Sequence, residues 1–121
     1  MWFSENPDEY QWIQIDMMNH PIQLNGYSIQ SNDGGGNNEH LKSWVIEGSN
    51  DQESNKKWEE IDRRINNNDL NGRYKVNYFQ ILKKSKSFQY IRLRMIDKNH
   101  GNTHFLGLIK FELFGDLNES N

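Results

Sequence analysis

An all-β fold, an antiparallel sandwich or jelly roll, is predicted by three observations. Apolar residues alternate with polar ones over short runs. Loops rich in Asn, Asp and Gly separate those runs at regular spacing. No segment carries the apolar period of an amphipathic helix.

The strands follow in order. Trp12-Ile13-Gln14-Ile15-Asp16-Met17 alternates, with Ile13, Ile15 and Met17 on one face, and Asn19-His20-Pro21 turns the chain. Ile22 and Leu24 alternate next, while Tyr27 and Ile29 continue on the opposite parity. The parity changes at Asn25-Gly26, which predicts a bulge inside one strand rather than a hairpin between two stubs. A loop from Ser31 to Lys42 carries Gly34-Gly35-Gly36. Strands are then predicted over 43–48, 58–63, 75–81, 89–96 and 105–115, making seven. In the sixth, Ile91, Leu93 and Met95 face inward and Arg92 and Arg94 outward onto a solvated or salt-bridged surface. Trp12, Trp44 and Trp58 recur at strand starts on apolar-rich segments and are expected in the core.

Composition narrows the function classes. The 121 residues make one domain, expected over 1–117 with a tail at 118–121. Only 34% are hydrophobic, but 12% are aromatic, including four Trp, so a folded domain with long polar loops is expected. A net charge of −3 gives no basic face for nucleic acid. The absence of Cys excludes disulfides, thiol catalysis and Cys-ligated zinc. No apolar run is long enough for a transmembrane helix, and no signal peptide is visible. With Asn118-Glu119-Ser120 the lone glycosylation sequon, at the very end, a cytoplasmic setting is expected. No catalytic constellation emerges, and no cofactor or metal is expected.

Consecutive antiparallel strands send alternate loops to opposite ends. Loops 3–11, 31–42, 64–74 and 97–104 should therefore share one end, and 18–21, 49–57 and 82–88 the other. The first set is longer and richer in Asn, Asp, Gly and His, which marks it as the binding end. Its candidate ligand contacts are Trp2, Glu5 and Asn6; Asp33, Asn37, Asn38 and His40; Arg63 and Arg64; and Asn99, His100 and His104. Trp2 is a candidate exposed wedge. Arg63 or Arg64 suits bidentate grip of a hydroxyl-rich or acidic ligand. The histidines weigh as a shared metal site against locally hydrogen-bonded side chains. Asp33, Asn37, Asn38 and Glu39 weigh as hard calcium ligands against ordinary turn chemistry.

Several segments together resemble the discoidin family, also called coagulation factor 5/8 type C. They are Trp12-Ile-Gln-Ile-Asp16, Tyr27-Ser-Ile-Gln-Ser31, Lys42-Ser-Trp-Val-Ile-Glu-Gly-Ser-Asn-Asp51 followed by Trp58, Tyr90-Ile-Arg-Leu-Arg94 and Phe111-Glu-Leu-Phe-Gly115. Ser43 to Asp51, Ile61-Asp-Arg-Arg64 and Lys98-Asn-His100 look most like versions attached to BTB-type proteins of single-celled eukaryotes. The resemblance implies a jelly-roll β-sandwich that binds sugars, lipid head groups, metals or proteins through loops at one end. The family pattern begins a strand and a loop earlier than Met1, so an N-terminal strand is expected to be missing and a sheet edge left unpaired. The family's lectin branch uses arginines in the loop matching 31–42; none stands there, so fucose binding by that route is not expected. Two functions follow: a protein-interaction module recognising ligands for a larger intracellular protein, or a lectin-like module for carbohydrate or phospholipid.

Overall fold

A computed structural model describes residues 2–3 and 10–118. Nine strands occur among them and no helix: β1 (Trp2–Phe3), β2 (Trp12–Asp16), β3 (Ile22–Ser31), β4 (Trp44–Ser49), β5 (Glu59–Arg64), β6 (Val76–Gln80), β7 (Ser87–Phe88), β8 (Tyr90–Met95) and β9 (Leu108–Leu117). They form two antiparallel sheets packed as a jelly-roll sandwich. The first sheet runs β1-β2-β8-β4-β5. In the second, β9 pairs along β3 from Ile22 to Ser31, which leaves β6 and β7 to share the other edge of β3.

The seven expected strands are present, and two short ones join them. β1 lies just ahead of β2, and β7 occupies the end of the basic turn 82–88. The last strand begins at Leu108 rather than Phe105. Before it, the Leu106 N–H donates to the Gln11 side-chain oxygen at 2.8 Å instead of to a ladder.

The parity change in β3 is a bulge. Leu24 stands opposite Gly115 and Gly26 opposite Phe114, leaving Asn25 unpaired in that ladder. One extra residue turns Tyr27 and Ile29 to the same inner face as Ile22 and Leu24, and all four are buried. Opposite them lie Trp44, Ile46, Ile91, Leu93 and Met95, also buried. Each such buried Leu or Ile contributes about 1.5–3 kcal/mol.

The tryptophans divide between the faces, which corrects the expectation that all three pack in the core. Only Trp44 is fully buried. Trp12 and Trp58 are half-buried on the outer face of the first sheet, where the Arg92 guanidinium lies 6.0 Å from one ring and 4.2 Å from the other. Beside them Arg92 and Arg94 both donate to the buried Glu47 carboxylate. Burial pushes the Glu47 pKa up, but the hydrogen bonds and charges of Arg94 and Arg92 outweigh it and hold the carboxyl below its usual range.

A polar chain crosses between the sheets. The Trp44 Nε1–H donates to the Tyr27 hydroxyl at 2.9 Å, and that hydroxyl donates to Asp62 Oδ2 at 2.5 Å. Arg64 Nε donates to the same oxygen at 2.9 Å, and Arg64 Nη2 donates to the Gln80 carbonyl at 2.8 Å. Phe79 stacks on Tyr27 and meets Trp44 edge-on. Burial, then the Asp62 hydrogen bond and charge, push the Tyr27 pKa far up, so the phenol stays a donor. Tyr27→Phe leaves the Trp44 indole and the Asp62 carboxylate short of a partner. It is expected to lower the free energy of unfolding by about 1–3 kcal/mol in urea titrations, with an unchanged far-ultraviolet spectrum.

Candidate functional site

The long loops gather at one end of the sandwich, as the strand count predicts. Loop 32–43, between β3 and β4, touches the other described loops of that end. The His100 N–H donates to the His40 carbonyl at 2.9 Å, Asn67 N–H to the Lys42 carbonyl at 2.8 Å, and Tyr74 N–H to the Asn32 carbonyl at 3.1 Å. Ser31, buried at the mouth, donates to the Gly72 carbonyl at 2.6 Å and accepts the Lys75 N–H at 2.8 Å. Tyr10 joins from the first loop, its ring edge-on to His104 at 4.7 Å. At the opposite end Asn50 bonds the Ser87 carbonyl, and the Asn118 N–H bonds the Pro21 carbonyl.

Where loop 32–43 meets loop 65–75, an open cleft of about 190 Å³ is lined by Asp33, Gly36, Asn38, His40, Gly72 and Arg73. His40 is its floor and is 2% exposed. Its Nδ1 pairs with Asn38 Oδ1 at 2.7 Å. Its Nε2 is buried and without a hydrogen-bond partner among the described residues. Gly34 sits over it with φ +87°, and a Cβ there would lie 2.9 Å from both His40 Cε1 and Nε2. The glycine tip thus adopts a left-handed backbone and lets the chain approach the imidazole closely. Asp33 and Arg73 are exposed at the rim, a carboxylate and a guanidinium reaching the same opening. That set can donate to and accept from a ligand with several hydroxyls.

The family model described as the F5/8 type C domain matches residues 1–108. The chain belongs to the F5/8 type C family. No curated protein matches it. Solved structures with the same fold include a chitosan-binding module of a chitosanase/glucanase from Paenibacillus sp. IK-5, at 18% identity and TM-score 0.67, over 94% of this chain and 75% of that one. An F5/8 type C domain from Bacteroides fragilis matches at 17% identity and TM-score 0.68, over 95% and 72%. A carbohydrate-binding module (CBM32-6) produced by Clostridium perfringens matches at 18% and 0.61, over 94% and 75%.

In this F5/8 type C domain the candidate residues fall into three groups. Asp33, Asn38 and His40 line the cleft, and Asn37 is exposed beside it. Arg63, Arg64, Asn99, His100 and His104, also expected among the ligand contacts, do not line this cleft and make contacts within the fold. Arg63 lies on the outer face of the first sheet, opposite Val45, paired with Glu60 at 2.6 Å. Arg64 belongs to the inter-sheet chain. Asn99 is 1% exposed and braces its own loop, donating to Thr103 Oγ1 and the Phe105 carbonyl while accepting the N–H groups of Gly101 and Thr103. His100 Nε2 bonds the Asn67 carbonyl at 3.1 Å; burial lowers its pKa despite that bond, so the ring is neutral at neutral pH. His104 packs on Tyr10. In the third group, Glu5 and Asn6 and the side chain of Trp2 lie outside the described residues.

The calcium reading of loop 32–43 meets oxygens already in use. Asp33 Oδ1 accepts the Gly35 N–H at 3.0 Å, Asn38 Oδ1 holds His40, and Glu39 Oε2 accepts the Thr103 hydroxyl at 2.5 Å. Among the described residues no group of three or more His, Cys, Asp or Glu could hold a metal ion.

Sequence reasoning missed Arg73. The signal was its place after Asn71-Gly72, within a loop of the binding end, whereas Arg63 and Arg64 lie inside a strand. The larger cleft, about 230 Å³ between the start of β5 and the loop 82–86, is less suited to a ligand. Two of its three lysines are engaged, Lys86 with Glu59 at 3.4 Å and Lys84 with Asp116.

Gly34→Ala forces a side chain into both a left-handed backbone and the His40 ring. It is expected to cost about 1–3 kcal/mol in urea unfolding. Gly36→Ala, at φ +85° with nothing within 4 Å, carries the backbone strain alone and should cost less.

Proposed function

We propose that this chain is a non-catalytic carbohydrate-binding module that seats a hydroxyl-rich glycan in the cleft between Asp33 and Arg73. One observation carries the reading. Asp33, Asn38, His40 and Arg73 converge on one opening, on two loops cross-bonded through Asn67 to Lys42 and Tyr74 to Asn32 and rooted in the sandwich. Adjacent sugar hydroxyls match what these groups offer: Asp33, with one oxygen on the Gly35 N–H, has its second oxygen as an acceptor, and a guanidinium presents a planar fork.

The solved neighbours support this reading, since those whose printed names state a ligand bind chitosan or carry a carbohydrate-binding module. A protein or lipid partner, a cytoplasmic setting and a role as the recognising part of a larger BTB-linked protein rank behind it. The chemistry of a ligand for Asp33 includes the amino sugars of chitosan, whose cationic groups a carboxylate attracts.

Calorimetric titration with chitosan oligosaccharides, alongside a glycan array, tests the proposal. Binding is expected, and Arg73→Ala and Asp33→Asn should each weaken it at least about tenfold, or about 1.4 kcal/mol. Both residues are exposed, so thermal unfolding should stay as in the parent. No binding to any glycan would refute the function, and binding indifferent to both substitutions would refute the site.

A further inference from the structure

Three places in the chain set an Asn or Asp before a Gly, whose missing Cβ leaves its backbone nitrogen open to the neighbouring side chain: Asn25-Gly26, Asp33-Gly34 and Asn71-Gly72. Ring closure between the two residues needs that nitrogen free and the side-chain carbonyl mobile. The fold withholds this at two of the places. Gly26 is buried inside β3, between Gln80 of β6 and Phe114 of β9, with the Tyr78 ring lying across it. The Gly34 N–H donates to Asn32 Oδ1 at 2.9 Å, and Asp33 Oδ1 is held by the Gly35 N–H at 3.0 Å. Asn71-Gly72 differs. Asn71 is exposed, and neither its carboxamide nor the Gly72 N–H has a hydrogen-bond partner among the described residues.

We propose that Asn71 is a site of spontaneous deamidation that ages the loop cleft. The Gly72 backbone nitrogen attacks Asn71 Cγ. The new N–Cγ bond forms as the nitrogen gives its proton to solvent, and the Cγ–Nδ2 bond breaks with ammonia as the leaving group. Water then opens the resulting five-membered succinimide at either carbonyl, giving aspartate or isoaspartate. The net change exchanges ammonia for water, a carboxamide for a carboxylate, and nothing is oxidised or reduced.

The position gives this change an effect. Leu70, on one side, is fully buried in the core. Gly72, on the other, accepts the Ser31 hydroxyl at 2.6 Å and lines the cleft together with Arg73. Isoaspartate threads the main chain through its own Cβ and Cγ, which lengthens the link between these two anchored points and displaces the Gly72-Arg73 side of the cleft. Either product also sets a carboxylate close in sequence to Arg73, where it competes for the guanidinium. The effect on binding rests on the glycan reading of the cleft; the deamidation does not.

Peptide mapping by mass spectrometry, during incubation of the folded chain in mildly alkaline buffer, tests the site. Deamidation is expected first at Asn71, and at least about tenfold more slowly at Asn25, where the ladder must open beforehand. Asn71→Gln, whose longer side chain disfavours the five-membered ring, should remove the early product and leave circular dichroism unchanged. In calorimetric titrations with chitosan oligosaccharides, the aged parent should lose binding in step with its deamidated fraction, whereas aged Asn71→Gln should bind as the fresh chain does. Asn25 reacting as fast as Asn71, or Asn71 intact after other asparagines have changed, would overturn the site. A deamidated chain that binds as tightly as fresh protein would overturn the effect on the cleft. Fresh protein that binds no glycan would refute the glycan reading and that effect with it, while the peptide map still decides the site.

Discussion

Between the two sheets, the hydroxyl of Tyr27 receives a hydrogen bond from Trp44 and passes one to Asp62, which Arg64 holds in turn while also reaching the Gln80 carbonyl. These residues sit on β3, β4, β5 and β6. Those four strands are also the roots of the two loops that line the cleft: loop 32–43 leaves β3 and enters β4, and loop 65–75 leaves β5 and enters β6. Buried polar atoms demand partners, so the chain has one satisfactory arrangement rather than several similar ones. A purely apolar interface would let the sheets slide at smaller cost, and the spacing of the loop roots would drift with them. The contact thus ties together the roots of the loops that carry Asp33 and Arg73, and the bonds of Tyr74 to Asn32 and of Ser31 to Gly72 join the loops beside them.

Beyond those roots the loops hold themselves with short polar side chains, which accounts for the abundance of Asn. Asn38, Asn66 and Asn102 adopt positive φ, a conformation that Asn tolerates better than most residues. Asn99 satisfies four backbone or side-chain groups of its own loop. Asn32 and Asn67 cap N–H groups two residues on. Loops this long would otherwise carry many unsatisfied amides, and a wandering loop makes a poor receptor.

Much of the scaffold was legible in the sequence because it rests on local periodicity. The bulge at Asn25 announced itself as a change of parity, and the sharing of loop ends followed from counting antiparallel strands. What periodicity cannot reveal is which residues near a sheet's edge or outer face find partners from distant parts of the chain. Trp12 and Trp58 read as core because they open apolar strands, yet they flank Arg92 on the outer face. Arg64 read as a candidate for gripping a ligand; in the fold it bonds Asp62, which shares its parity and faces Tyr27 across the sandwich. Asn99 and His100 stood in the expected loop, and their bonds to Thr103 and Asn67 only the folded chain brings together. Arg73 escaped notice beside the more conspicuous Arg63-Arg64 pair.

The central claim is that a rigid sandwich presents one loop cleft as its receptor. Amide chemical-shift mapping during titration with a chitosan oligosaccharide addresses it most directly. The account predicts shifts confined to 33–40 and 72–74, with the Trp44 indole and the amides of the inter-sheet strands unmoved. Shifts centred on the lysine-rich cleft at 83–86, or on the outer sheet faces around Arg92 or Tyr78, would contradict it.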